Sequence, residues 1–206
     1  MTTYSSPFTV INPVVITDAM LTSSTVSEAE ATWSGATTYA LNDVVKYGSN
    51  HDKFSSKSAG NINHIPIKYP NETVYWYDEG KTNRWNMFDL TTNIQTTGTS
   101  PLTVVLTPGS PITSLQCDVL ECDEISVSIS DGVSTVYTNT VQIRTRDVID
   151  WYTFFYEQFR YKKSISLYDL PGGVANPVIT ITFTSTTGTV KVGGCLIGTH
   201  YIFGET

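Results

Sequence analysis

The sequence predicts an all-β protein, a small β module followed by an antiparallel, jelly-roll-like β-sandwich. Three observations lead there. Ser and Thr make up 52 of the 206 residues, 32 of them Thr. Thr is stiff at its branched carbon and favours strands, and Ser competes for backbone hydrogen bonds and disfavours helix interiors. From Pro101 onward, apolar residues alternate with Ser and Thr in short runs, the period of a half-buried strand. Turn signals such as Pro108-Gly109, Asp131-Gly132 and Pro171-Gly172-Gly173 separate those runs, as expected of a two-sheet sandwich.

Residues 1–31 read as an extended N-terminal arm and linker. Phe8 to Ile16 is extended but interrupted by Pro13, which confines it to a sheet edge or an arm pairing with a neighbouring subunit. Thr17 to Ala31 is polar and without clear period. Residues 32–97 read as a small β domain, with a strand over Val44–Tyr47 after the Asn42-Asp43 turn and a run Tyr75-Trp76-Tyr77-Asp78-Glu79 broken by Gly80. Residues 91–100 hold almost nothing apolar and mark the boundary. Residues 98–206 form the sandwich, with strands through Leu102–Leu106, Ile125–Ile129, Val133–Ile143, Ile165–Leu167, Ile179–Phe183 and Val190–Ile197. Asp150 to Phe159 is an aromatic run compatible with a helical turn or an irregular strand, and the sequence leaves both open.

Between Trp33 and Trp76 the chain places Tyr39, Asn42-Asp43, Val45, Tyr47, Phe54, Pro66 and Pro70 in order. This resembles the small chitin-binding (type 5/12) carbohydrate-binding module, whose pattern runs W…Y…GD-V-Y…Y…P…W. Asn42 stands where that family has glycine, and Asn also tolerates a left-handed turn. The resemblance implies a sugar-facing surface, for which Tyr39, Tyr47, Tyr75 and Trp76 are the candidates. Thr82-Asn83-Arg84-Trp85-Asn86-Met87-Phe88-Asp89 is similar to a stretch recurring in tail-associated structural proteins of tailed bacteriophages. The ending Ile-Thr-Ile-Thr-Phe-Thr, a turn, then Val-Lys-Val-Gly-Gly-Cys-Leu-Ile-Gly is similar to the last strands of galactose-binding-like jelly rolls. Together these imply a virion tail subunit, assembled in the host cytoplasm. Its expected partners are other tail proteins, copies of itself and a host polysaccharide or receptor, and the alternative is a dedicated lectin-like adhesion protein.

The net charge of −7 argues against nucleic acid as a partner, because phosphate neutralisation needs a basic surface. No segment reaches the roughly 20 apolar residues of a membrane helix, and Met1-Thr2-Thr3-Tyr4-Ser5-Ser6 has neither the basic start nor the apolar run of a signal peptide. Cys117, Cys122 and Cys195 are expected as free, partly buried thiols of a reducing compartment, with Cys117 and Cys122 on opposite faces if one continuous strand carries both.

No catalytic motif, cofactor loop or metal-ligand spacing is present, and the function expected is non-enzymatic, without cofactor. The carboxylate pairs Asp78/Glu79 and Asp123/Glu124 are adjacent and would point to opposite faces of a strand; Asp147 and Asp150 flank the aromatic run, with Asp150 better placed as a helix cap. Trp85 and Phe88 read as a plug between the two modules, and Arg84 as a partner for Asp89 or a cover for Trp85. Arg144, Arg146, Arg160, Lys162 and Lys163 gather five of the second half's six basic residues around the aromatic run, a candidate interface for an acidic neighbour.

Overall fold

The computed structural model describes residues 8–68, 74–91, 94–146 and 149–203. The chain opens with β1 (Phe8–Pro13) and β2 (Leu21–Ser24). A small module follows, made of β3 (Ala31–Thr32), β4 (Thr38–Tyr39), β5 (Val44–Tyr47), β6 (Asp52–Ser56), β7 (Asn61–Ile62) and β8 (Trp76–Lys81). A single 3-10 turn, Asn86–Phe88, leads into β9 (Thr96–Thr99), β10 (Leu102–Leu106), β11 (Ser114–Glu121), β12 (Glu124–Ser130) and β13 (Thr135–Gln142). After β14 (Arg144–Thr145), helix α1 (Trp151–Tyr156) and β15 (Arg160–Tyr161), the chain ends with β16 (Ser164–Leu167), β17 (Val178–Thr184) and β18 (Thr189–Phe203).

Two five-stranded antiparallel sheets make the sandwich. One has the order β1-β18-β11-β16, with β9 also on β18; the other runs β13-β12-β17-β10-β2. Their inward rows are the alternating residues read from the sequence: Leu102, Val104 and Leu106, then Ile125, Val127 and Ile129, then Ile179, Ile181 and Phe183, all buried. The fifteen-residue β18 is the organising strand, bonding to β1, β11 and β9. A Cβ on its Gly198 would stand 2.1 Å from the Asn12 carbonyl oxygen, so the β1–β18 approach requires glycine there.

The segment 1–31, expected as an arm and linker, supplies strands to this chain's own sheets. β1 pairs with β18 from Phe8↔Phe203 to Pro13↔Gly198, and β2 pairs with β10. Pro13 sits at the last paired position of an edge strand, where a missing N–H costs least. Residues 1–7 of the expected arm lie outside the described residues. Residues 91–100, expected as a boundary, contain β9, a polar strand whose Thr96 is buried and accepts a hydrogen bond from the Met87 N–H (2.9 Å).

Cys117, Cys122 and Cys195 are free and buried. Cys117 faces Cys195 across the β11–β18 ladder, Sγ to Sγ 3.8 Å. No one strand carries both Cys117 and Cys122, since β11 ends at Glu121, and within β11 the burial phase changes. Val119 takes φ of 51°, and burial passes from Cys117 to Leu120 and Cys122. Burial pushes the Cys122 thiol up to about 12, with the Asp123 charge adding to it. The native protein is therefore expected to resist thiol alkylation at neutral and mildly alkaline pH and to react at all three cysteines once denatured. Rapid labelling of the native state would contradict this packing.

The module is tied to the sandwich by a buried carboxylate. Glu28, 7% exposed, accepts from Lys46 Nζ (2.7 Å) and Thr82 Oγ1 (2.6 Å) and faces His51 Nδ1 (2.7 Å). His51 Nε2 in turn faces Asp18 (2.7 Å), and its ring stacks on Trp85, centroids 4.3 Å apart. Arg84 donates from Nε to the Val26 carbonyl (2.7 Å). Burial alone would raise the Glu28 carboxyl, but the bonds from Lys46, Thr82 and His51 outweigh it and hold the group below the ordinary carboxylate range. The resulting stability is present above the unfolded pKa of about 4.3 and is lost as pH falls through the lower folded value. Glu28→Gln should cost about 3 kcal/mol and flatten the acid limb of the stability–pH curve. Chemical denaturation across the acid range checks both, and an unchanged curve would remove Glu28 from this role.

Candidate interaction surface

Two groups of aromatic residues have opposite fates. Those of the small module, the exposed Tyr77 apart, are spent on its own interior. Trp76 is fully buried and Tyr39 nearly so, in an edge-to-face pair with centroids 5.2 Å apart, and the Tyr39 hydroxyl accepts from the Ser34 N–H at 2.7 Å. Trp76 Nε1 donates to the His64 carbonyl at 2.7 Å. Val45 and Phe54 complete this small cluster, with Trp33, Tyr47 and Tyr75 packed against it. Tyr47 meets Trp33 edge-on at 5.3 Å, and Tyr75 is covered by the stacked His64 ring. As sugar-stacking candidates, Tyr39 and Trp76 are corrected by their burial, since neither offers a face; Tyr47 and Tyr75 are half-buried with their rings engaged. The module's other large apolar side chains, Leu41, Ile62, Ile65, Ile67 and Tyr77 among them, are exposed, so these rings make its core. Its turn is as expected: Asn42 takes φ of 67°, and the Asp43 carboxylate accepts from the Ala40 N–H at 2.7 Å.

Trp85 and Phe88, candidates for an interface, are interior residues of the sandwich cluster, and they meet edge-to-face at 5.8 Å. The His51 ring closes the module side of Trp85. A cleft of ≈ 570 Å³ opens beside them, lined in part by Val15, Asp18, His51, Lys81, Trp85 and Leu90.

The second aromatic group is displayed. Asp150 caps α1 through a capping box: its carboxylate accepts from the Thr153 N–H (2.8 Å), and Thr153 Oγ1 accepts from the Asp150 N–H (3.0 Å). Six residues are far too few for a helix to persist on local bonds alone, yet none of the six is buried. Trp151 is 73% exposed, Phe155 69%, Tyr156 66% and the preceding Ile149 87%, with Tyr152, Phe154, Phe159 and Tyr161 also exposed. The excursion is anchored at its root by the β14–β15 pairing and by the Lys162 N–H on the Ile143 carbonyl at 3.0 Å.

The arginines proposed as a charged contact surface hold this excursion together. Arg144 lies 3.5 Å over the Phe159 ring and reaches Asp123 at 3.9 Å; Arg146 lies 5.3 Å from Phe154 and 5.4 Å from Phe159. Arg160 pairs with Glu157 at 2.8 Å. Lys162 and Lys163 stay at the surface, Lys163 on the rim of a second cavity of ≈ 380 Å³ with Glu121, Tyr161 and Lys191. The surface therefore offers apolar rings braced from behind by guanidinium groups. These exposed rings stand on a chain otherwise rich in Ser and Thr.

The candidate carboxylates have structural duties. Asp78 accepts from the Gly80 N–H (2.9 Å), and Glu79 accepts from Ser55 Oγ (2.6 Å). Asp123 accepts from Thr186 at both N–H and Oγ1 (2.6 Å each), which holds its carboxyl below the usual range, and Glu124 accepts from Gln142. Asp150 is the helix cap, and Asp147 lies outside the described residues. Among the described residues, no three metal-ligating side chains gather. The exposed aromatic run was visible in the sequence as composition; its display was not. The junction of Asp18, Glu28, Lys46, His51 and Thr82 gave no sequence signal, because its members are scattered from residue 18 to residue 82.

The two groups should separate cleanly by mutation. Trp76→Ala is expected to cost roughly 3–5 kcal/mol in denaturant unfolding. Trp151→Ala should stay within about 0.5 kcal/mol of the parent. Equal costs would contradict the division.

No protein-family model and no curated protein matches the chain. Among solved structures, TmCBM61, a carbohydrate-binding module determined in complex with beta-1,4-galactotriose, aligns at 13% identity with a TM-score of 0.26. The alignment covers 51% of this chain and 63% of that one, so the chain spans just under two thirds of the module's length. A superposition that loose carries no inference about a site or ligand.

Proposed function

We propose that the chain is a non-catalytic assembly subunit that docks onto a partner protein through the aromatic surface of residues 149–161. In its finer form, the reading is a structural protein of a bacteriophage tail, assembled in the host cytoplasm and carried in the virion. The observation behind the docking role is a helix with no buried residue, carrying Trp151, Phe154 and Phe155 into solvent beside Ile149. Aliphatic and Phe side chains at the centre of the patch suit a protein partner, whose own apolar side chains would cover them. The resemblance of Thr82–Asp89 to tail-associated proteins supports the finer form.

A second reading, adhesion to a host polysaccharide or receptor, is favoured by one feature of the same patch. The Trp151, Tyr152 and Tyr156 rings are exposed, and flat aromatic faces are what sugar rings stack on. Both readings use one surface, so one pair of variants tests them. Trp151→Ala with Phe155→Ala should lower incorporation into tail particles by tenfold or more while leaving the fold intact. Because the patch's arginines are engaged with its own rings and carboxylates, binding should persist at high salt. Normal incorporation of the variant, with lost retention on host polysaccharide, would favour adhesion. Loss of neither would overturn both.

A further inference from the structure

A second exposed feature of the sandwich points to a partner of its own. β13 lies at the edge of its sheet, with β12 on one side and, among the described residues, no strand on the other. Spanning eight residues, it exceeds the other edge strands: β1 has six and ends on Pro13, and β2, β9 and β16 have four each. Exposed edges are usually protected by charge, proline or a bulge, because their free N–H and C=O groups template further pairing. The sequence of β13, Thr-Val-Tyr-Thr-Asn-Thr-Val-Gln, has no charge, no proline and no glycine. Its one register irregularity against β12 falls at the Ile129/Ser130 end.

We propose that β13 is a self-association edge. It pairs antiparallel with β13 of a second copy about a two-fold axis, joining two five-stranded sheets into one of ten strands. The argument for a second copy, over an unrelated strand, is self-complementarity. A two-fold axis perpendicular to the sheet keeps core side beside core side, so opposed positions share parity. The register centred on Asn139 satisfies this. It sets Tyr137 opposite Val141 of the second copy, Thr138 opposite Thr140, and Asn139 opposite itself. Aromatic–β-branched and Thr–Thr pairs are favourable cross-strand neighbours. Tyr137 and Val141 already pack partly buried against the sandwich core, so pairing would continue that core across the seam. Beyond the strand ends, the same register brings the Asp131-Gly132 turn alongside Arg146 of the second copy, opposite in charge. This edge meets the α1 surface only at Arg146, and the inference stands whether or not the chain is a virion subunit.

Sedimentation velocity over a wide concentration range tests it, with three variants. The parent should form a dimer. Thr138→Lys with Thr140→Lys places lysine against lysine on the solvent face and should weaken association about tenfold or more. Asn139→Cys should cross-link the dimer on mild oxidation, since opposed Cα atoms in an antiparallel pair lie about 4.5–5.5 Å apart, within disulfide reach. Thr135→Cys, which this register sets opposite residue 143, should not cross-link to itself, and the buried native thiols should stay silent. A parent that remains monomeric overturns the proposal. So does a dimer that the lysines leave intact, or one that Asn139→Cys fails to link.

Discussion

The buried carboxylate of Glu28 is the point on which the relation between the small module and the sandwich depends. It lies between strands of the two, almost out of water, and an ion so placed is tolerated only when its lone pairs are satisfied. Lys46 and His51 come from the module and Thr82 from the chain leaving it, so Glu28 fixes three separate segments at once. His51, held between Glu28 and Asp18, then seats its ring on Trp85. The resulting junction is polar at its centre and aromatic at its floor, which sets one geometry where an apolar contact alone would permit sliding.

From that junction follows how the aromatic side chains are distributed. Trp76, Tyr39 and Phe54 are the interior of a module with few other large residues, and Trp85 and Phe88 seal the sandwich. The largest group of exposed rings sits on one short excursion between β13 and β16, capped by Asp150 and braced by Arg144 and Arg146, while Phe8, Tyr77, Tyr168, Tyr201 and Phe203 are exposed elsewhere. On the proposed reading, a partner covers these rings. The structural and adhesive readings differ in what covers those rings, and share the surface.

Much of this was legible in the sequence, and the limits have physical causes. Period-two alternation located β10, β12 and β17, because each buries one face. The Asp131-Gly132 turn was legible because Gly132, at φ of 94°, and the Asp131 side chain do local work. Asn42 could be read as the left-handed turn residue for the same reason. Of the two readings open for Phe8 to Ile16, sheet edge or arm, the first holds, and the sequence could not choose because the partner, β18, lies about 190 residues later in the chain. β9 was missed because its buried side chain is Thr96, whose place in the interior depends on a hydrogen bond from Met87. The relative facing of Cys117 and Cys122 was not legible, because β11 ends before Cys122 and Val119 takes a left-handed angle within it. Aromatic spacing alone could not say which rings face out: Trp76 and Trp151 look alike in composition and differ in whether a core exists to receive them.

Four tryptophans, Trp33, Trp76, Trp85 and Trp151, allow the central claim to be tested in one spectrum. Fluorotryptophan-labelled protein, followed by fluorine NMR while isolated tails or host polysaccharide are added, reports on each ring separately. The account predicts that the Trp151 resonance shifts or broadens while those of Trp33, Trp76 and Trp85 stay where they are. Movement of Trp33 or Trp76 with Trp151 unchanged would put the binding face on the small module and contradict it.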